Sequence, residues 1–237
     1  MKAALILSGQ FRNAKECYQT IKSNILDVYS PDVFISSWLN PSNITPSGWF
    51  GETPNDDCTV SDIIQMYNPK SIELETFDDE NYQTFRKIAD KLDSKIGHET
   101  KTTNVIAMWY KRYRSNLLRN QFEKLNDFKY DLVISSRFDL EILEPLDFQL
   151  EGDQLLIPIG FDWCDGLSDL FAVGNSDVMN DYFDIFNQME YYRLEKEIAE
   201  SPEVILKYHV KNKNMEVNRF LLKFRLRGSN IWETALS

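Results

Sequence analysis

Two apolar runs, Ala3-Ala4-Leu5-Ile6-Leu7 ahead of Ser8-Gly9, and Asp32-Val33-Phe34-Ile35-Ser36-Ser37-Trp38, decide how this chain folds. Each is nearly continuous in apolar residues instead of alternating. That is the pattern of a strand covered on both faces, and such strands belong to parallel sheets flanked by helices. Between them Ala14, Cys17, Tyr18, Ile21, Ile25 and Leu26 recur at three- and four-residue spacings, one apolar stripe along a helix. Strand, helix and strand over residues 3–38 make a β-α-β unit, the opening of a doubly wound α/β sheet.

Working outward, residues 40–58 hold Pro41, Pro46, Pro54, Gly48 and Gly51 without any period and read as a long loop. Val60, Ile63, Ile64 and Tyr67 mark a short helix, Ser71 to Thr76 a half-exposed strand, and a polar helical stretch runs on to about Lys95. The longest helical signal spans Thr103 to Leu125, with Ile106, Trp109, Tyr110, Tyr113, Leu117, Leu118 and Phe122 on a wide apolar face. Asp131 to Ser136 is a third buried strand; Leu155 to Ile159 and Leu170 to Val173 are two more. Helices follow around Val178 to Met189 and from Pro202 through Tyr208, and Leu222, Phe224 and Leu226 alternate as an exposed strand does. With no Gly/Ser/Pro-rich linker, residues 1–237 are expected to form a single domain. At 237 residues and 43% hydrophobic content, it has enough chain to bury roughly 70 to 75% of its unfolded surface without a metal or disulfide.

The formal net charge of −11 argues against a nucleic-acid partner, because that affinity comes from Lys and Arg displacing condensed counterions. Lys111, Arg112, Arg114 and Arg119 nonetheless cluster in the long helix; a charge run of this kind reads as a solvated helix face, with a local basic patch as the alternative. Cys17, Cys58 and Cys164 are odd in number, far apart and without a C-x-x-C pair, which fits a reducing, cytoplasmic setting. No apolar run reaches the length of a membrane span, and the N-terminal run is too short for a signal peptide.

In open α/β sheets, ligands bind beyond the carboxyl ends of the strands. Gly9 permits a tight turn there, and Arg12 is placed to pair with a diphosphate or stack on a base; a plain strand-to-helix turn is the competing reading. Asp139 and Glu141 stand two apart after the apolar run Leu132-Val133-Ile134, so an extended backbone turns both carboxylates to one side, as Mg²⁺ or Mn²⁺ requires. The same spacing recurs at Glu73/Glu75, Asp78/Glu80, Glu151/Asp153 and Glu195/Glu197, so it is the end of a buried strand that singles out Asp139/Glu141. Arg137 beside them either keeps them ionised or closes a structural ion pair. In the loop from Gly160 to Asp169, Asp162, Asp165 and Asp169 are candidates for a general base, with Asp165 preferred beside Gly166, and Trp163 offers a face for a sugar ring. His98 and His209 read as structural or surface residues.

The combination of ALILSGQFR, DVFISSW, MWYKRYRSN and YDLVISSRFDLE, followed by LLIPIGFDWCDGLSDLFAVGN, resembles a group of small bacterial and viral glycosyltransferase-like proteins with a GT-A fold. The resemblance implies transfer of a sugar from a nucleoside diphosphate sugar to a hydroxyl of a carbohydrate acceptor. It also implies a nucleotide pocket that includes Ser8, Gly9 and Arg12, to which Trp109 and Arg137 are added as donor-binding residues. Asp139 falls in the metal or diphosphate region, with Asp139 and Glu141 as ligands of Mn²⁺ or Mg²⁺, and the 162–169 loop lies on the acceptor side. The sequence departs from the group's D-x-D: either Asp139-Leu140-Glu141 replaces it, or the register is Arg137-Phe138-Asp139 and an arginine neutralises the phosphates instead. Two other functions remain open, a sugar nucleotidyltransferase and an inactive glycan- or protein-binding module, the latter compatible with the aromatic pair Trp49-Phe50.

Overall fold

The computed structural model describes residues 1–39, 58–76, 83, 85, 102–198 and 201–227. Strand β1 (Ala3–Gly9) leads through Asn13 into helix α1 (Ala14–Ile21), which runs on as a π-helical turn (Lys22–Leu26) and a last turn (Asp27–Tyr29) before β2 (Asp32–Trp38). Helix α2 (Val60–Tyr67) and strand β3 (Ser71–Glu75) follow, then the long helix α3 (Thr102–Asn126), β4 (Leu132–Arg137) and the short β5 (Leu140–Ile142). The chain continues through β6 (Gln154–Pro158), a 3-10 turn (Trp163–Asp165), β7 (Ala172–Gly174), and helices α4 (Ser176–Phe183), α5 (Ile185–Leu194) and α6 (Pro202–Asn212). The last elements among the described residues are β8 (Glu216–Phe220) and β9 (Phe224–Leu226).

Seven strands form one sheet in the order β3-β2-β1-β4-β7-β6-β8, and β5 pairs with β9 in a separate antiparallel ribbon. Within the large sheet only β7 runs against the rest. The expected α/β architecture, a mixed and mostly parallel sheet flanked by helices, is therefore what the chain adopts. Strands β8 and β5 and the pairing of β5 with β9 were not legible in the sequence. The expected loop at 40–57, His98 and most of the polar stretch toward Lys95 lie outside the described residues.

Burial explains the apolar runs. Ala4, Ile6, Phe34 and Val133 point into the core beneath α3 to α6, while Ala3, Leu5, Leu7, Val33, Ile35, Leu132 and Ile134 point into the core beneath α1, α2 and the β5–β9 ribbon. Successive residues of a strand thus feed opposite cores, which calls for apolar residues at nearly every position up to the buried serines Ser36, Ser37, Ser135 and Ser136 at the carboxyl ends. Leu5, Ile6, Leu7 and Ile134 are wholly buried, each contributing about 1.5–3 kcal/mol relative to an exposed side chain.

Helix α3 corrects the sequence reading. Its cations are not a solvated face: Lys111 and Arg119 are fully buried and Arg112 is 3% exposed. Each has a carboxylate to meet. Lys111 pairs with Glu75 while lying 4.0 Å over the Trp38 ring, Arg112 pairs with Asp169 at 3.1 Å, Arg114 with Glu73, and Arg119 with Glu123 at 2.8 Å. Arg119 also donates to Ser176 Oγ at 2.6 Å and to Asn116 and Asn180, joining α3 to α4. An unbroken helix of 25 residues that crosses the sheet places its basic positions inside, where only pairing makes them tolerable.

Candidate site at the switch point of the sheet

The strand order reverses between β1 and β4. From β1 the chain builds outward through β2 to β3, then returns to place β4 on the other side of β1. At such a reversal the loops leaving the two neighbouring strands diverge to opposite faces and open a crevice at their carboxyl ends. The registers put the two expected turns at that crevice, with Ser8 opposite both Ser36 and Arg137, and Gly9 opposite Ser37. Gly9 takes φ 102°, a conformation that L side chains avoid, and its carbonyl accepts from Ser37 Oγ at 2.5 Å.

Beyond the turns, Arg12 and Arg137 converge on one carboxylate. Arg137 binds both oxygens of Asp139, Nε to Oδ1 and Nη2 to Oδ2, each at 2.7 Å, and Arg12 Nε lies 3.3 Å from Oδ2. The rings beside them close the base of the turn, Phe11 edge-on to Phe138 at 5.2 Å and Tyr67 to Phe138 at 5.9 Å. Burial pushes the Asp139 carboxyl up, but the charges of Arg137 and then Arg12 more than offset this and hold it below the usual range. Burial likewise works against the Arg137 cation, and Asp139 reverses it.

Glu141 does not join Asp139 on one side of a strand. Strand β4 stops at Arg137, the chain turns through Phe138 and Asp139, and Glu141 sits in the β5–β9 ribbon directly opposite Arg225. Its carboxylate accepts from Arg227 at 2.9 and 3.1 Å and from Arg225 at 3.3 Å. The two clusters are continuous, because the Arg227 backbone N–H donates to the Asp139 carbonyl at 2.9 Å. These residues do not fit Mn²⁺ or Mg²⁺: both carboxylates already accept forked guanidinium bonds, and a divalent cation between them would stand among four like charges. Arg225 and Arg227 escaped the sequence reading; the only signal was an acid-x-acid segment whose partner strand lay more than eighty residues away.

The loop between β6 and β7 approaches the same rim, since β7 runs antiparallel to β4 with Ala172 opposite Ser135. Its three acids part ways. Asp162 is clamped by Arg219 at 2.8 Å and accepts from the Ser168 N–H at 2.9 Å, so it braces the loop. Asp165, the preferred general base, is 98% exposed at its side chain and pairs with Lys207 on α6 at 3.0 Å; the structure does not bring it to the arginine cluster. Asp169 is 5% exposed and faces Arg112. Gly166 lets the loop touch α6, where an added Cβ would fall 2.4 Å from the Glu203 carbonyl carbon. Close to Asp169, burial and then the Asp169 charge push the Glu203 carboxyl up to about 7.

Trp109 is fully buried, edge-on to Tyr182 at 5.7 Å and beneath the Arg112 guanidinium at 4.7 Å, so it is a core residue and not a lining of an open donor pocket. Trp163 stays 42% exposed on its turn. His209 is a buried structural histidine, bonded to Tyr192 Oη at 2.9 Å and to the Asp181 carbonyl at 2.6 Å. All three cysteines are free thiols. No described helix is long and apolar enough to cross a membrane.

No family model and no curated protein matches the chain. Among solved structures it is similar to the apo form of the glycosyltransferase GlyE of Streptococcus pneumoniae TIGR4, with a TM-score of 0.47 and 13% identity over 92% of this chain and 45% of that one. The chain spans less than half the length of that protein.

Proposed function

We propose that the chain is a glycosyltransferase that takes a sugar from a nucleoside diphosphate sugar and passes it to a hydroxyl of a carbohydrate acceptor. The observation that carries this reading is the meeting of Arg12 and Arg137 at the switch point between β1 and β4. Two guanidinium forks at a crevice mouth, beside a glycine turn that exposes backbone N–H groups, suit a diphosphate that gains charge as its bond to the sugar breaks. Asp139 orients both forks before the donor arrives. The acceptor enters from the β6–β7 loop, where exposed Trp163 offers a stacking face, and its hydroxyl proton goes to Glu203, which meets that loop at Gly166 and lies close enough for its charge to act on Arg137. A sugar nucleotidyltransferase, which relies on a metal-binding carboxylate pair, loses its main support in the arginine pairing of Asp139 and Glu141.

A thermal-shift screen of nucleoside diphosphates and their sugars tests the reading, since a ligand of the folded state raises the melting temperature. At least one diphosphate is expected to do so, with Arg137→Gln losing most of the shift, and mass spectrometry of the matching donor with oligosaccharide acceptors is expected to show a lengthened product. No shift with any diphosphate at millimolar concentration sinks the proposal. A shift without product turns it toward a binding module.

A further inference from the structure

Two features of the ribbon formed by β5 and β9 go unused by Arg12 and Arg137. Its outer face carries Glu141 opposite Arg225, with Arg227 one step beyond. In both halves of the cluster, moreover, the carboxylate lies deeper than the cations. Asp139 and Glu141 are 3% and 13% exposed at their side chains, against 17% and 21% for Arg137 and Arg12 and 35% and 32% for Arg225 and Arg227. What this rim turns to solvent is guanidinium, underlain by anions that fix its orientation.

Resting on the transferase reading above, we propose that Arg225 and Arg227 form a second phosphate clamp, so that the donor diphosphate is held by four arginines across the β1/β4 crevice and the β5–β9 ribbon, without a divalent cation. Glu141 is then a counter-ion that the phosphate displaces in part. When the donor binds, the Arg227 fork exchanges one charge-assisted partner for another, and the more concentrated charge of the phosphate oxygens favours the exchange. The arrangement also gives the ribbon a purpose. The Arg227 N–H to Asp139 carbonyl bond makes it an extension of the switch-point turn, and the alternation of β5 sends Leu140 and Ile142 into the core while Glu141 faces out.

The test is calorimetric titration of the full chain with UDP and with GDP in EDTA, then with Mn²⁺. One of them is expected to bind in EDTA, and Arg227→Gln and Arg225→Gln are each expected to weaken it about tenfold, the scale of one lost charge-assisted contact. Because Arg227→Gln leaves Glu141 short of a partner, the double variant E141Q/R227Q is measured beside it with melting temperatures as a check on folding, and it is expected to bind about tenfold more weakly than E141Q alone. The single variant E141Q is expected to tighten binding, since it removes the competitor for both forks. Binding that requires Mn²⁺, binding that the arginine variants leave unchanged, or an E141Q variant that binds no more tightly than the parent each overturns this inference while leaving the transferase reading standing. No binding of either nucleotide under any condition overturns this inference, and no shift by any diphosphate in the thermal screen overturns the transferase reading with it.

Discussion

Two sets of cations in this protein use the same chemistry to opposite ends. Along α3, Lys111, Arg112 and Arg119 are sealed from water and each faces a carboxylate from another turn, strand or loop. At the switch point and on the ribbon beside it, Arg12, Arg137, Arg225 and Arg227 keep about a sixth to a third of their side chains in contact with solvent and share two deeper carboxylates. A sealed pair has spent its interaction on holding helix to sheet, and breaking it strands a charge in a medium that cannot hydrate it. An open cluster with its anions beneath is still able to bind something. The difference lies in depth and stoichiometry, neither of which residue type reveals.

If the distinction is sound, Arg119→Ala is the most damaging single change, costing about 3–5 kcal/mol by leaving the buried Glu123 carboxylate without its cation and Ser176 Oγ without its donor. Urea denaturation measures this, and a loss below about 1 kcal/mol would erase the contrast. Next comes Glu203, whose raised affinity for a proton has a definite sign. The unfolded chain ionises at about pH 4.5 and the folded carboxyl at about 7, so stability falls as pH rises through that window and stays lowered above it. Glu203→Gln is therefore expected to raise stability at pH 8 by about 1–3 kcal/mol and to leave it unchanged near pH 4.5. A gain that does not depend on pH would show that the carboxyl is not the cause. Smallest is Arg225→Gln, which removes one half-exposed partner of Glu141 and is expected to shift stability by about 0–1 kcal/mol while still weakening nucleotide binding.

What the sequence made legible follows the range of the interactions involved. Strands β1, β2 and β4 announced themselves because burial on two faces makes each a nearly continuous apolar run, and the Ser8-Gly9 and Arg137 turns could be placed at their ends from that alone. The pairing of Arg12 with Asp139 was not legible, since it needs the parallel register of β1 with β4, two strands more than a hundred residues apart. Glu141 was misread because a three-residue strand pairs with a partner near the end of the chain, so its carboxylate answers to Arg225 and Arg227 and not to Asp139. Asp165 was favoured for its glycine neighbour, but that glycine is there to let the loop approach Glu203. The basic run of α3 was misjudged for a related reason: the acids that neutralise Lys111, Arg112 and Arg114 arrive from β3 and from the β6–β7 loop.

The widened turn at Lys22–Leu26 fixes where the ribbon can stand. One extra residue in that turn aims the Asn24 side chain at the Ile142 carbonyl, 2.8 Å away, while the Asn24 carbonyl accepts from the Leu146 N–H. Deleting a residue there would swing the rest of the helix by about 100° and withdraw that anchor. Helical phase in the first crossover thereby sets the reach of arginines at the far end of the polypeptide, so a one-residue deletion in a turn that supplies none of the four arginines would mistune the grip on a phosphate.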